Sequence, residues 1–198
     1  MTSAHDSTAV ETPSRPGVGA FLLARWPSLL GAVMIAASSF DGVDVYVVAL
    51  TIAFAVLCYL AAASTGRSRG AWFAFGVGFV VMPIGLLTRL DLSIPLLAVG
   101  VALVLFGLVR LPRTGWRELA IQSGGGVAFG AIAFLAIAAA PVVGAHIAAF
   151  GIIGHGVWDV VHHRRDKVVS HSFAEFCAVL DFGIGALLLV VTWVGVLA

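Results

Sequence analysis

Charge is scarce in this sequence. Only 11% of its 198 residues are Asp, Glu, Lys or Arg, against roughly 25% in an average soluble domain. Its 11 basic and 10 acidic side chains leave a formal net charge of +1, so no basic field exists to hold nucleic acid. The two cysteines, Cys58 and Cys177, are too few for a secreted disulfide framework. Both lie in apolar stretches, where a thiol behaves as a small buried hydrophobe. The one lysine, Lys167, stands outside the apolar segments, which excludes a retinal protein with a lysine in its last helix. HExxH, P-loop and GxSxG patterns are absent. Six histidines, one of them His5 near the amino terminus, are too few for the repeated histidine boxes of membrane desaturases. No internal repeat is visible, so an inverted-repeat transporter receives no support.

Apolar residues are abundant, at 61% of the chain, with a mean hydropathy of +1.08. A spanning helix needs about 20 of them in succession, within a range of roughly 17–25. Seven stretches qualify: 26–41, 45–63, 71–88, 93–110, 119–140, 142–163 and 171–197. The first is short and opens on Arg25-Trp26-Pro27, where proline suits a first helical turn. Asp41-Gly42 separates the first two stretches as a turn. Pro141 separates the fifth and sixth, as a break or a kink. The expected fold is all-α: a polytopic membrane helix bundle of about seven spans forming a single domain over 17–198. Residues 1–16 are polar and lack the basic-then-apolar order of a signal peptide, and are expected to form a disordered cytoplasmic tail.

The basic residues test this division. With seven spans and the amino terminus inside, Arg15, Arg25, Arg67, Arg69, Arg110, Arg113, Arg117, Arg164, Arg165 and Lys167 share the cytoplasmic side, and only Arg89 lies opposite. That asymmetry is what the positive-inside rule demands. It implies an integral protein of a bacterial-type inner membrane or a plasma membrane, with membrane lipid as its surroundings. Asp41, Asp44 and an Arg89–Asp91 pair read as solvated features of the outer side. Trp116 and Trp158 read as interfacial belt residues.

The remaining polarity is concentrated. Four of the six histidines and four of the ten acids fall between His155 and Asp181. Ionisable groups inside a membrane are expensive and mark a functional site by default. On a helical wheel, Gly144, Ala148, Gly151, His155, Asp159 and His162 share an arc of about 80°, with His163 at its margin and His146 on the opposite side. His171 and Glu175, one turn apart, open the last helix from the same end. Asp181 reaches the level of His155 but is rotated by about 120° from Glu175. The short 164–170 connection predicts antiparallel neighbours, so two histidine–carboxylate faces can meet.

Three functions fit that pattern. His155, His162, His163 and His171 can ligate a divalent metal, zinc or iron. Asp159, Glu175 and Asp181 would then serve as ligands, orienters or general base. This reading, a metal-dependent membrane hydrolase or oxygenase acting on a lipid-like or isoprenoid-like substrate, is preferred. The second is a proton-coupled transporter or permease subunit using His155, Asp159, Glu175 and Asp181 as its relay. The third is a structural subunit whose polar pairs fix helix register, with Arg164, Arg165 and Lys167 anchoring the interface. In general design the pattern is similar to that of alkaline ceramidase-like and adiponectin-receptor-like membrane hydrolases, and of carotenoid-cleaving membrane oxygenases. These hold their metals with histidines from more helices, and no residue role is transferred from them. The sequence does not specify an oligomeric state.

Overall fold

A computed structural model describes residues 17–40 and 43–197; the expected tail 1–16 and the Asp41-Gly42 turn lie outside them. Eight α-helices follow in order: α1 Val18–Ala24, α2 Trp26–Phe40, α3 Val45–Thr65, α4 Arg69–Leu87, α5 Ser93–Arg110, α6 Trp116–Ala138, α7 Pro141–Arg165 and α8 His171–Leu197. No strand occurs among the described residues. Six helices, α3 to α8, are long and apolar enough to cross a membrane. The remaining expected span is α2, whose 15 residues rise only about 22 Å against a hydrocarbon core of about 30 Å. The short α1 was not anticipated.

Local chemistry sets the boundaries. The Asp44 carboxylate accepts the Tyr46 and Val47 N–H groups at 2.8 and 3.2 Å and so starts α3. Gly66, at φ 64°, ends the same helix in the left-handed conformation that glycine adopts without steric cost. Asp91 does not pair with Arg89; it accepts the Ser93 N–H at 2.9 Å ahead of α5. That hydrogen bond holds its carboxyl below the ordinary aspartate range. Pro141 occupies the first turn of α7, so α6 and α7 are separate helices rather than one kinked one. Asp166, at φ 48°, terminates α7.

Burial is uneven. Helix α3 is the axis and packs against α4, α5, α6 and α7, while α8 packs against α7 and α2. The core is therefore drawn chiefly from α3, α7 and α8. The outer faces of α4 and α5 are the reverse, with Phe73, Leu87 and Val109 more than three-quarters exposed. Such continuous apolar exposure is foreign to soluble monomers and suits hydrocarbon surroundings.

Small residues bring α7 and α8 together. A Cβ on Gly156 would lie 3.3 Å from the Asp181 Cβ, and one on Gly185 would lie 3.1 Å from the Ala149 carbonyl. The pairings 156 with 181 and 149 with 185 run in opposite directions, as expected for antiparallel neighbours. Close backbone approach through glycine is the usual means of helix association where no hydrophobic force operates. Here it also carries an aspartate to a histidine.

Candidate metal centre

His155 and Asp159 lie on the buried face of α7, and Asp181 on the face of α8 that meets it. All three are at most 2% exposed. The His155 Nδ1 atom is 2.7 Å from Asp181 Oδ2 and 3.5 Å from Asp159 Oδ2. Tyr59, on α3, donates its hydroxyl to Asp159 Oδ1 at 2.6 Å. Cys58 on α3 and Cys177 on α8 are buried free thiols. Three elements thus converge on one polar point in an otherwise apolar core.

Two polar atoms of this group, His155 Nε2 and Asp159 Oδ2, are buried without a hydrogen-bond partner. Leaving a buried polar atom unpaired costs about 1–3 kcal/mol, more if it is charged. Charge is also out of balance. Two carboxyl groups face one imidazole, so if both are ionised even a protonated ring leaves one negative charge uncompensated. His155, Asp159 and Asp181 offer one ligand atom each, all within 4.8 Å of one another, and could hold a metal ion.

The other sequence-predicted residues sit elsewhere. His162 is buried, but both its nitrogens are engaged. Nδ1 lies 2.9 Å from the Trp158 carbonyl and Nε2 lies 2.9 Å from the Gln122 amide nitrogen. The carbonyl can only accept and the amide nitrogen can only donate, so this network assigns the neutral Nδ1–H tautomer. No lone pair is left for a metal in this arrangement. His163 Nδ1 donates to the His171 carbonyl at 3.2 Å, and His171 Nε2 pairs with Asp166 at 2.9 Å on the exposed rim.

Glu175 turns away from α7 altogether. It accepts from Ser28 at 2.5 Å and from Arg25 at 3.3 Å, tying α8 to the start of α2. Of the two acids on α8, which the wheel sets about 120° apart, it is Asp181 that meets His155 of α7, while Glu175 meets Ser28 of α2. His146, excluded on the wheel, lies beside Trp193 with its Nδ1 2.7 Å from the Val142 carbonyl. Trp158 is half-buried and stacks on His162, while Trp116 is exposed.

Sequence reasoning overlooked Tyr59 and Gln122. A tyrosine in the middle of an apolar helix is itself a signal, because a buried phenol seeks a partner. Gln122 carries the same hint in α6. What neither reveals is the partner, since Tyr59 and Asp159 are a hundred positions apart.

The fold and site together define an all-helical, membrane-type protein with a buried histidine–aspartate cluster. The chain matches no protein family, no curated protein and no solved structure.

Proposed function

We propose that this chain is an integral membrane protein that binds a divalent metal, zinc or iron, through His155, Asp159 and Asp181. On this reading it uses that metal in chemistry on a lipid-like or isoprenoid-like substrate. The observation that carries the reading is the buried cluster of two carboxyl groups and one imidazole, with Asp159 Oδ2 unpaired beside the histidine. A divalent cation beside a neutral imidazole balances both carboxylates, and nitrogen–oxygen donor sets suit zinc and iron. Neighbouring donors around a tetrahedral ion with bonds of 2.0–2.1 Å lie about 3.3 Å apart. The 3.5 Å contact fits that spacing, while the 2.7 Å contact is a hydrogen bond whose proton the metal would displace. Tyr59 would orient Asp159, as partners behind a ligand generally do.

The same proposal takes α2 as a seventh span with its start on the cytoplasmic side. Glu175 on α8 binds both Arg25 and Ser28, and Trp26 stacks on Trp72 at 5.3 Å. These contacts bring Arg25 to the end of the bundle where Arg67, Arg69 and Arg164–Lys167 lie, in keeping with the basic asymmetry. A buried site ringed by apolar helices is most easily reached by an apolar molecule, which is what supports the substrate class.

The test is titration of the purified, metal-free protein with Co(II) as a spectroscopic probe, following both absorbance and proton release. Stoichiometric uptake with a proton released, both lost in Asp181→Asn, is the expected result. A wild type that takes up neither Co(II) nor zinc would overturn the proposal.

One observation favours a second reading. The His155–Asp181 contact is already a hydrogen bond, and the Tyr59 hydroxyl donates to Asp159 beside it. Such a buried group of imidazole and carboxyls can take up and give back a proton. A relay in a small transporter or permease subunit predicts proton uptake by the metal-free protein in vesicles, abolished by Asp181→Asn.

A further inference from the structure

A narrow crevice runs between α3, α6 and α7 and ends at the cluster. Val56, Tyr59, Gln122, Gly125, Gly126, Phe129, Trp158 and His155 line it. It is nowhere wide enough for a water molecule. Its walls are apolar apart from Gln122, the phenol edge and His155. The Gln122 amide and the Tyr59 hydroxyl are already engaged, with His162 and Asp159.

His155 is the exception. Its Nδ1 edge is committed to the two carboxylates, so the edge it presents elsewhere carries Nε2, the buried nitrogen with no partner. With Nδ1 donating to Asp181 in a neutral ring, Nε2 accepts; with an ion on Nδ1, Nε2 carries the hydrogen and donates. A hydroxyl answers it in either state and a carbonyl in the second. The crevice thus ends in one unanswered hydrogen-bonding group behind an apolar throat.

The throat is built to be adjustable. Glycines at 125 and 126 remove side chains from the α6 wall: a Cβ on Gly125 would lie 3.2 Å from the Trp158 indole, and one on Gly126 would lie 3.1 Å from Val56. Trp158 is half-buried against Gly125, Phe129 and His162, so entry of a molecule requires its indole to turn aside. The neighbouring Val157 and Val127 are exposed on the apolar outer face, which puts the opening on the hydrocarbon side of the bundle.

We propose that this crevice binds an apolar-chain molecule ending in a single hydroxyl or carbonyl oxygen, drawn from the bilayer between α6 and α7, with that oxygen on His155 Nε2. A headgroup of several charges does not suit it, because no charged side chain lines the throat. The inference rests on reading the cluster as a reaction site, and it names the substrate class and the access route. It depends on the unpaired nitrogen rather than on the metal.

Photolabelling tests it. A long-chain alcohol bearing a diazirine is crosslinked to the full-length protein in detergent, and the modified peptides are mapped, beside metal content measured on the same preparation. The expected result is labelling of residues 122–129 and 155–158. Unlabelled alcohol should compete, while an alkane of equal length should not. Gly125→Leu, which fills the throat, abolishes this labelling, and Trp158→Ala, which widens it, increases it. Labelling confined to the outer faces of α4 and α5, competed equally by the alkane, would overturn the proposal. So would crevice labelling unchanged by Trp158→Ala, which decides the matter if Gly125→Leu does not fold. Crevice labelling without metal would remove the metal reading and leave this one. Metal without crevice labelling would do the opposite.

Discussion

The four histidines between His155 and His171 divide into tiers that behave as different materials. At the deep tier, His155 is 1% exposed and held by Asp181 and Asp159, with Tyr59 behind them. At the rim, His171 and Asp166 form a pair of the same chemistry with side chains 54% and 70% exposed. Coulomb attraction at a given distance is many times stronger in a dry interior than in water. The deep pair also bears a desolvation cost that the rim pair escapes. The inner contact is therefore consequential whichever way it is perturbed, and the outer one is nearly neutral. His162 lies between them, buried but already satisfied by Gln122 and the Trp158 carbonyl.

The comparison can be broken most forcefully at the deep tier. His155→Ala leaves two buried carboxyl groups without their imidazole partner, and removal of one member of a buried pair costs about 3–5 kcal/mol. A large fall in thermal midpoint in detergent, together with loss of bound metal, is expected. Tyr59→Phe should cost about 1–3 kcal/mol through the orphaned Asp159 oxygen. Metal affinity should fall about 10–100-fold with it, read by competition against a chelator. Retained affinity in Tyr59→Phe would separate the phenol from the site.

Smaller effects sharpen the contrast. Gln122→Leu removes the donor to His162 and should lower stability by about 1 kcal/mol while metal content stays at the wild-type level. Arg25→Ala should cost less than about 1 kcal/mol, since a half-exposed ion pair is weak, and that cost should shrink in high salt. His163→Ala and His171→Ala should each fall within about 0.5 kcal/mol of wild type. A destabilisation of several kcal/mol from either rim variant would erase the division into tiers.

Much of the architecture was legible in the sequence, because helix boundaries follow from apolar run length, turn residues and caps. Pro141 marks the α6–α7 boundary as a local signal, whereas Asp44 reads from sequence as a solvated outer residue and only the structure shows it capping α3. The buried face of α7 was equally legible: Gly144, Ala148, Gly151, His155, Asp159 and His162 are all buried, as the helical period requires. Less legible was α8, where two acidic residues lie on different faces and an isolated wheel gives no reason to choose between them. Glycine at 156 and the seat of α2 against Glu175 decide that choice, and both are tertiary facts. The 15-residue α2 shows the same limit, since run length alone does not say whether so short a helix crosses the membrane.

The most direct test of the central claim is elemental analysis by mass spectrometry of the purified protein, comparing His155→Ala with the triple variant His162→Ala/His163→Ala/His171→Ala. The account predicts stoichiometric zinc or iron in the wild type and in the triple variant, and none in His155→Ala. Metal retained by His155→Ala and lost from the triple variant would contradict it, and would return the site to His162, His163 and His171.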